Sequence, residues 1–266
     1  MPNSIIHKLC IVMALTFMVV SPFLLANTAQ EKGRAIAEEV DKRDMGFGDS
    51  KSNIKMLLRD QYGNERPRLM RNQTMEVTGD GDKSIIVFEN PSDVEGTAFL
   101  SFTHQAGPDD QWLYLPGLKR VKRISSSNKA GAFMNSEFAF EDIASQEVDK
   151  YTYTYLRDDV FDGIDVFVNQ SDPVDPKSGY SKLEVWVDQA RYIPLKIDFY
   201  DRGGRLKKTL HMKEYNQYLD KYWRAHRWEM TNHQTGKSTV LLMSDWQFNN
   251  GYTDNDFNKN SLSRVK

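Results

Sequence analysis

Residues 111–143 read QWLYLPGLKRVKRI, then SSSNKAGA, then FMNSEFAFEDI, and this stretch decides the fold. Its first part alternates as a strand, with the aromatic residues Trp112 and Tyr114 on one face and the leucines Leu113 and Leu115 on the other. A strand with one face in water carries polar residues at alternate positions, whereas both faces of this strand are apolar. The stretch therefore predicts a strand that is covered on both sides or borders a cavity on one side.

The end of this stretch is rich in aromatic residues but too irregular for a strand. Phe133, Met134, Phe138 and Phe140 follow the polar turn at residues 125–128. We predict a loop that packs these apolar side chains back over the sheet.

Strand and turn signals alternate on both sides of this stretch, almost to the end of the chain. Apolar residues two apart mark the strands, for example Ile54, Met56 and Leu58 in one and Ala98, Leu100 and Phe102 in another. Such spacing, without a linker or an internal repeat, predicts a mostly β (α+β) chain built on one large antiparallel sheet. A sheet of this many strands curls or splits, so we expect a concave face that something must fill.

One helix is predicted before the first strand. Thr28-Ala29-Gln30-Glu31 fits a capping box, so the helix is expected to begin at Thr28 and to end near Met45-Gly46. Its narrow apolar stripe consists of Ala35, Ile36, Ala37 and Val40.

The N-terminus has the layout of a secretory signal peptide. Lys8 precedes the mostly apolar run at residues 9–20, which is too short to span a membrane as a helix, and small residues follow up to Ala26. We predict a cleaved signal at residues 1–26 and a single domain at residues 27–266. An uncleaved membrane anchor is the alternative.

The cysteine content and the charge exclude several classes of function. Cys10 lies inside the signal, so the mature chain is expected to have neither a disulfide, nor a reactive thiol, nor a lipidated cysteine. The formal charge is −2, and removal of Lys8 with the signal makes it −3 (−2 − 1). A charge this close to zero provides no global attraction to nucleic acid.

No recognised catalytic or metal-binding motif occurs in the sequence. The histidines of the mature chain, His104, His211, His226 and His233, lack the His-Glu-x-x-His spacing of zinc proteases. A Gly-x-Ser-x-Gly elbow and a catalytic cysteine are also absent from the sequence. We predict that the protein is not an enzyme and uses no cofactor or metal, with a hydrolase assembled from dispersed residues as a weaker alternative.

The densest basic cluster, Lys119, Arg120, Lys122 and Arg123, follows the strand at residues 111–115. Charges of this kind protect an edge strand from pairing with other chains. They also suit an anionic partner such as a lipid head group, because guanidinium groups bind phosphate in bidentate fashion. The sequence leaves both explanations open.

Several segments occur in an order that is found in one known family. They are residues 112–116, the basic run to Ile124, residues 133–142, residues 185–188, residues 194–196, the turn at residues 201–204, Lys208, residues 230–232 and residues 236–239. In these segments the chain resembles LolA-like proteins, the outer-membrane lipoprotein-sorting proteins, and the resemblance covers nearly the whole mature chain. Asn135 departs from the pattern, since glycine is expected before Ser136.

The resemblance implies an unclosed antiparallel β-barrel, or half-barrel, with helices and a loop covering its hydrophobic concave face. It also implies a periplasmic location and the binding and transfer of acyl chains or lipoproteins. Some members work beside a transporter of the resistance-nodulation-division superfamily. The best-known carrier of the family is shorter and lacks the signature at residues 112–116, so its cargo is not assumed for this chain.

We therefore expect a monomeric, non-catalytic periplasmic carrier that binds acyl chains in a hydrophobic cavity and helps move a lipid or lipoprotein toward the outer membrane. An accessory or sensor module that works with a resistance-nodulation-division transporter is the alternative. The expected ligand contacts are Leu100, Phe102, Trp112, Tyr114, Phe133, Met134, Phe138 and Phe140, with Arg120 and Arg123 at the head group. Met56, Met134 and Met243 would add adaptable lining if they face inward. Ordinary core packing is the competing explanation for each aromatic residue.

Overall fold

One long helix and a series of strands make up the chain in a computed structural model that describes residues 22–264, with side chains from residue 28 onward. Helix α1 spans Pro22–Asp44, and the single turn α2 spans Phe140–Ile143. The strands are β1 (Asp49–Arg59), β2 (Glu65–Met75), β3 (Lys83–Asn90), β4 (Ala98–Phe102), β5 (Asp110–Leu115), β6 (Arg120–Ile124), β7 (Tyr151–Phe161), β8 (Ile164–Pro173), β9 (Tyr180–Asp188), β10 (Pro194–Asp201), β11 (Leu206–Tyr218), β12 (Tyr222–Asn232) and β13 (Ser238–Phe248).

The strands form a 13-stranded antiparallel sheet in the order β6-β5-β4-β3-β2-β1-β13-β12-β11-β10-β9-β8-β7. Neighbours in sequence are neighbours in space, except in the middle of the sheet, where the first strand pairs with the last. Within the described residues β6 and β7 end the sheet without pairing to each other. The sheet is therefore an unclosed half-barrel, which confirms the predicted fold class.

Strand β1 shows how the sequence determines the two faces of the sheet. Its even-numbered residues from Ser50 to Met56 are buried, whereas Asn53 and Lys55 between them are exposed. Successive side chains of a strand point to opposite faces. The even positions of β1 therefore lie on the concave face and the odd positions from 51 to 55 on the convex face.

The larger apolar core lies on the concave face and includes the segment that follows β6. Phe133 and Phe138 of this segment are fully buried. The ring of Phe133 packs against Phe99 and Phe140 with centroid distances of 5.2 and 5.6 Å. The predicted return of this segment over the sheet is confirmed, and we call residues 133–148 the lid.

A smaller apolar core lies on the convex face of β3, β4 and β5. It contains Leu100 and is covered by the C-terminal tail, whose Phe257 and Leu262 are only 2% and 0% exposed. Trp112 and Tyr114 pack against this core, while Leu113 belongs to the concave core. Strand β5 is thus covered on both sides, which explains its two apolar faces.

Helix α1 begins earlier than the sequence predicted. It starts at Pro22, so Thr28 lies within the helix and does not cap its start. The upstream residues include the strong helix formers Leu24, Leu25 and Ala26, and proline is favoured at the first helical position. The predicted end is confirmed at Asp44. Most of the predicted signal peptide lies outside the described residues, and no helix within residues 22–264 is long and apolar enough to cross a membrane.

Candidate functional site

A cavity of about 760 Å³ lies between the concave face of the sheet, α1 and the lid. Ile36, Ala37 and Val40 of the apolar stripe of α1 line it, whereas Ala35 on the other side of the helix is exposed. Small-molecule sites typically have volumes of roughly 300–1,000 Å³. The cavity is therefore large enough to be a binding site.

Much of the cavity wall is hydrocarbon that the strands contribute from the concave face. These residues include Ile54, Met56, Met70, Ile86, Val185, Val187, Ile197, Phe199, Leu210, Met212, Leu241 and Met243. Of the three methionines that we expected to add adaptable lining if they face inward, Met56 and Met243 line the cavity and Met134 does not. Because methionine is flexible and polarisable, such a wall can adapt to an alkyl chain without a fixed register.

A buried ion pair attaches the lid to the sheet. Lys208 on β11 pairs with Asp142 of the lid, and their side chains are only 3% and 4% exposed. Lys208 Nζ also donates to the Glu137 carbonyl oxygen (3.0 Å), and the Tyr180 hydroxyl donates to Asp142 (2.8 Å). Charges this deeply buried require such partners, since an unpaired buried charge is strongly destabilising. These contacts therefore determine where the lid lies.

Further polar contacts fasten the start of the lid. The Glu137 backbone N–H donates to Thr239 Oγ1 (3.0 Å), and Asn232 Nδ2 donates to Glu137 Oε2 (2.6 Å). Arg68 Nη1 donates to the Met134 carbonyl oxygen. Strands β2, β12 and β13 thus all hold this part of the lid.

The lid contains a tight turn at Met134 and Asn135. Both residues have left-handed backbone conformations, with φ of 49° and 61°. Asparagine tolerates this conformation better than other non-glycine residues. Asn135 can therefore occupy the position where the family pattern predicts glycine.

Helix α1 lies close to the sheet because it carries a glycine at the contact. Asn169 Nδ2 on β8 donates to the Gly33 carbonyl oxygen (2.9 Å). A Cβ atom at Gly33 would lie only 2.6 Å from the backbone nitrogen of Tyr155 on β7. At the end of the helix, Asp44 pairs with Arg224 on β12. Contacts at Gly33 and at Asp44 thus help to fix the helix across the open side of the half-barrel.

Carboxyl groups surround the end of the cavity where α1 ends and β1 begins, which we call the acidic end. Asp41, Asp44 and Asp82 line the cavity there. Burial, together with the charges of Glu147 and Glu76, raises the pKa of Asp82 to about 7. Burial and neighbouring carboxylates also raise the pKa of Asp41. Within residues 22–264 no group of three or more histidine, cysteine, aspartate or glutamate side chains is placed to hold a metal ion.

Part of the predicted ligand-binding set lies in the concave core. Phe133 lines the cavity. Phe138 is buried in the surrounding core and Met134 packs against it. Phe140 borders a second, open depression of about 600 Å³ between β5, β6 and residues 127–131. Of these four residues, the structure therefore brings Phe133 to the cavity wall.

The other apolar residues of the predicted set lie on the convex side. Leu100, Phe102, Trp112 and Tyr114 are close together, but they pack under the C-terminal tail. The rings of Phe102 and Trp112 are 5.2 Å apart. None of these residues lines the 760 Å³ cavity. Their contact with a ligand stays a prediction.

The basic residues of the predicted set lie on the edge strand β6. Arg120 and Arg123 are exposed, and Arg123 pairs with Asp110 on β5. The position of β6 at the end of the sheet agrees with the edge-protection explanation. Contact of these residues with a lipid head group stays a prediction.

Sequence reasoning missed the polar residues that shape the site. Asp142 and Lys208 are 66 residues apart, so nothing in their local sequence indicates that they pair. Ser50 and Ser52 could have been predicted from a weak signal. They stand at every second position before Ile54 and Met56, so they share the inward face of the same strand. A polar residue at a strand position where the alternation predicts an apolar one indicates a buried hydrogen-bonding group.

Comparison with solved structures finds relatives that match nearly the whole described fold. A domain from Vibrio parahaemolyticus described as an outer membrane lipoprotein-sorting protein has 56% sequence identity and a TM-score of 0.87, covering 88% of this chain and 100% of that chain. A LolA superfamily protein from Nitrosomonas europaea has 25% identity and a TM-score of 0.68, covering 86% and 98%. The chain belongs to the LolA-like family.

Two further comparisons place this LolA-like protein among its relatives. A DUF1329 family protein from Desulfovibrio piger has 28% identity and a TM-score of 0.83, covering 88% of this chain and 99% of that chain. A family profile described as "Uncharacterized protein"-like matches residues 80–264. No curated protein matches the sequence.

The family resemblance also has a structural explanation in this LolA-like protein. Glu137 and Asp142 lie in one matching segment of the sequence, and Lys208, Asn232 and Thr239 lie in three others. In the structure they meet in the contacts that attach the lid to the sheet. In this chain these segments therefore hold the cover of the cavity in place.

Proposed function

We propose that this LolA-like protein is a non-catalytic periplasmic carrier that binds the acyl chains of a lipid or lipoprotein and helps move it toward the outer membrane. The apolar cavity under α1 and the lid is the observation that carries this proposal.

The hydrophobic effect alone is sufficient for such binding. Burying a methylene group contributes about 0.8 kcal/mol, so a sixteen-carbon chain would gain on the order of 10 kcal/mol before ordering costs. The wall of isoleucine, leucine, methionine and phenylalanine side chains provides the surface for this burial. No reacting group is required, which agrees with a cavity built for holding rather than for chemistry.

The relatives and the predicted signal peptide at the N-terminus support a periplasmic carrier whose cargo moves toward the outer membrane. The Vibrio protein is described as an outer membrane lipoprotein-sorting protein, and it matches this chain over most of its length. The predicted signal peptide agrees with export from the cytoplasm. A carrier between the two membranes combines both observations.

The substitution Ala37→Trp tests the proposal. Ala37 lines the cavity from α1, so an indole at this position would occupy the space of the ligand. We expect affinity for a fluorescent fatty acid to fall at least about tenfold, because loss of two buried methylene contacts already has that effect. Native mass spectrometry of protein purified without detergent should show bound lipid in the wild type and less in the variant.

The matched control is Ala35→Trp, which adds the same indole to the exposed side of α1. This variant should bind the fluorescent fatty acid like the wild type. The carrier function would be rejected if the wild type carried no lipid and bound no probe, or if Ala37→Trp bound the probe as well as Ala35→Trp did.

A further inference from the structure

The cavity wall is polar near the acidic end. Ser50 and Ser52 on β1, Asn72 and Thr74 on β2, and Ser84 on β3 all line it. Their side chains carry hydroxyl and amide groups and no formal charge. We call these five residues the polar patch.

The register of the strands brings the polar patch together. Thr74 lies between Ser50 and Ser84, its partners on β1 and β3. Ser52 lies opposite Asn72 in the next inward row. In the row after that, Ile54 lies opposite Met70 and the wall becomes apolar. The cavity is therefore amphipathic along the strands, with its polar part at the acidic end.

The polar patch has unused hydrogen-bonding capacity. Ser52 is only 2% exposed, and its Oγ has no hydrogen-bond partner within residues 22–264. The same is true of Trp246 Nε1 on β13, at the bulge that faces Ser52. Both residues line the cavity, and a serine side chain can change its rotamer to reach a new partner. A ligand with acceptor oxygens would satisfy such donors.

The charges around the polar patch disfavour an anionic ligand. Asp41, Asp82 and Glu147 are near the acidic end, and burial raises the pKa of each. The basic residues that line the cavity in the described part of the chain already have partners: Arg43, Arg191 and Arg224 pair with Glu39, Asp188 and Asp44, and Lys221 donates to the Met45 carbonyl oxygen (2.6 Å). An anionic head group would thus lie near carboxyl groups. It could pair with a basic residue of the cavity only by displacing a partner that the residue already has.

We propose that the cavity takes an amphiphile with an uncharged head group, whose ester or amide carbonyl oxygens accept hydrogen bonds from the polar patch while its acyl chain lies along the apolar rows. This assignment rests on the proposed carrier function and specifies its ligand class. Neutral acylglycerols and the acylated cysteine of lipoproteins share this chemistry.

A set of chain-matched probes tests the head-group assignment. Monolauroylglycerol, laurate and dodecyltrimethylammonium each contain a chain of about twelve carbons, the carbonyl carbon included, but have neutral, negative and positive heads. Each is used to displace one fluorescent fatty-acid probe from the full chain. We expect monolauroylglycerol to bind at least about tenfold more tightly than either charged probe, the effect of one or two additional hydrogen bonds.

Variants of the polar patch connect this preference to the residues. The double substitution Ser52→Ala, Thr74→Val removes hydroxyl groups with almost no change of volume, so the fold should be kept. We expect its affinity for monolauroylglycerol to fall about tenfold and its affinity for laurate to change less than about twofold. Lys55→Ala, on the exposed side of β1, is the control and should change neither affinity.

A second comparison distinguishes the two sources of this chemistry. Dilauroylglycerol represents free lipid, and a short peptide with an N-acyl-S-diacylglyceryl cysteine represents a lipoprotein. Displacement by either one supports the assignment, and the tighter one identifies the source. Failure of both would overturn it.

The other outcomes are also decisive. Equal or tighter binding of laurate or dodecyltrimethylammonium, or a double variant that keeps the wild-type preference, would overturn the uncharged head group and leave the carrier function intact. Failure of every probe to bind would instead reject the carrier function itself.

Discussion

Lys208 attaches the lid to the sheet through two buried contacts. Its ammonium group is buried and contacts both Asp142 and the Glu137 carbonyl oxygen. The residue is therefore structural, although it lies beside the cavity.

Replacing Lys208 by methionine should destabilise the protein by about 3–5 kcal/mol, because the buried Asp142 carboxylate loses its partner. Urea unfolding of the variant and the wild type measures this difference. Lys207→Met is the control, because Lys207 is half-buried at the β-bulge beside Lys208 and makes no ion pair within the described residues, only a distant contact with the Tyr180 ring; it should cost no more than about 1 kcal/mol. Equal stabilities of the Lys208 and Lys207 variants would show that the ion pair does not hold the lid.

Asp82 should make stability depend on pH. The folded protein keeps its proton up to about pH 7, because burial and the charges of Glu147 and Glu76 raise its pKa, whereas the unfolded chain releases it near the ordinary value of about 4. A raised carboxyl pKa lowers stability as pH rises from about 4 to about 7. Asp82→Asn removes this loss, so its melting temperature relative to wild type should be higher at pH 8 than at pH 5.

Asp201→Asn is the control for this pH experiment. Hydrogen bonds from Arg205 and Gln234 lower the pKa of Asp201. A lowered carboxyl pKa contributes stability that is present above the ordinary pKa and lost only at more acidic pH. The effect of Asp201→Asn should therefore be the same at pH 5 and pH 8. If the melting temperature of Asp82→Asn relative to wild type were also the same at pH 5 and pH 8, this would contradict the raised pKa of Asp82.

Single residues also show the limit of sequence-based prediction. The alternation of Trp112, Leu113, Tyr114 and Leu115 correctly predicted which of them share a face, and of its two alternatives, cover on both sides or a cavity on one side, the structure shows cover on both sides. It could not predict which face is concave, because that depends on the curvature of the whole sheet. The pairing of Lys208 with Asp142 could not be predicted either, because it joins segments that are distant in the sequence.

At the scale of elements, α1 owes its position to a residue that normally weakens a helix. Gly33 allows the helix backbone to approach β7 and β8, where Asn169 donates to its carbonyl oxygen. The helix must lie this close for Ile36 and Val40 to line the cavity.

Gly33→Ala should therefore destabilise the docked helix, although alanine favours an isolated helix by about 1 kcal/mol. The new Cβ would lie 2.6 Å from the Tyr155 backbone nitrogen, so α1 must move away from the sheet. We expect a lower melting temperature and faster amide hydrogen exchange in α1 and β7.

Ala35→Gly on the exposed side of α1 is the comparison for this change. It reduces helix propensity by about 1 kcal/mol without altering a contact with the sheet, so exchange should increase in α1 but not in β7. A Gly33→Ala protein that melted above the wild type would show that propensity outweighs the close contact.

Most of the secondary-structure elements could be predicted from the sequence, and their boundaries less well. The strands, the hairpin turns and the return of the lid follow from periodicity and turn residues. The start of α1 does not, because a capping pattern at Thr28 competes with helix-forming residues on both sides. Local signals cannot decide between an internal capping pattern and a true helix start.

At the scale of the whole molecule, the open sheet creates the cavity. The first and last strands pair in the middle of the sheet, and the two edge strands stay apart. A curved sheet of this kind has an apolar concave face that its own strands cannot cover. Helix α1 and the lid cover it incompletely and leave the amphipathic space of about 760 Å³.

Photocrosslinking with a diazirine-labelled fatty acid tests directly whether this space is the binding site. Mass spectrometry of the labelled protein should locate the label on the concave face, in peptides of α1, β1 and β13 that contain Val40, Ile54 and Met243. Label on the convex core, in peptides that contain Leu100 and Trp112, or label spread evenly over the surface would contradict a carrier that holds its cargo inside the half-barrel.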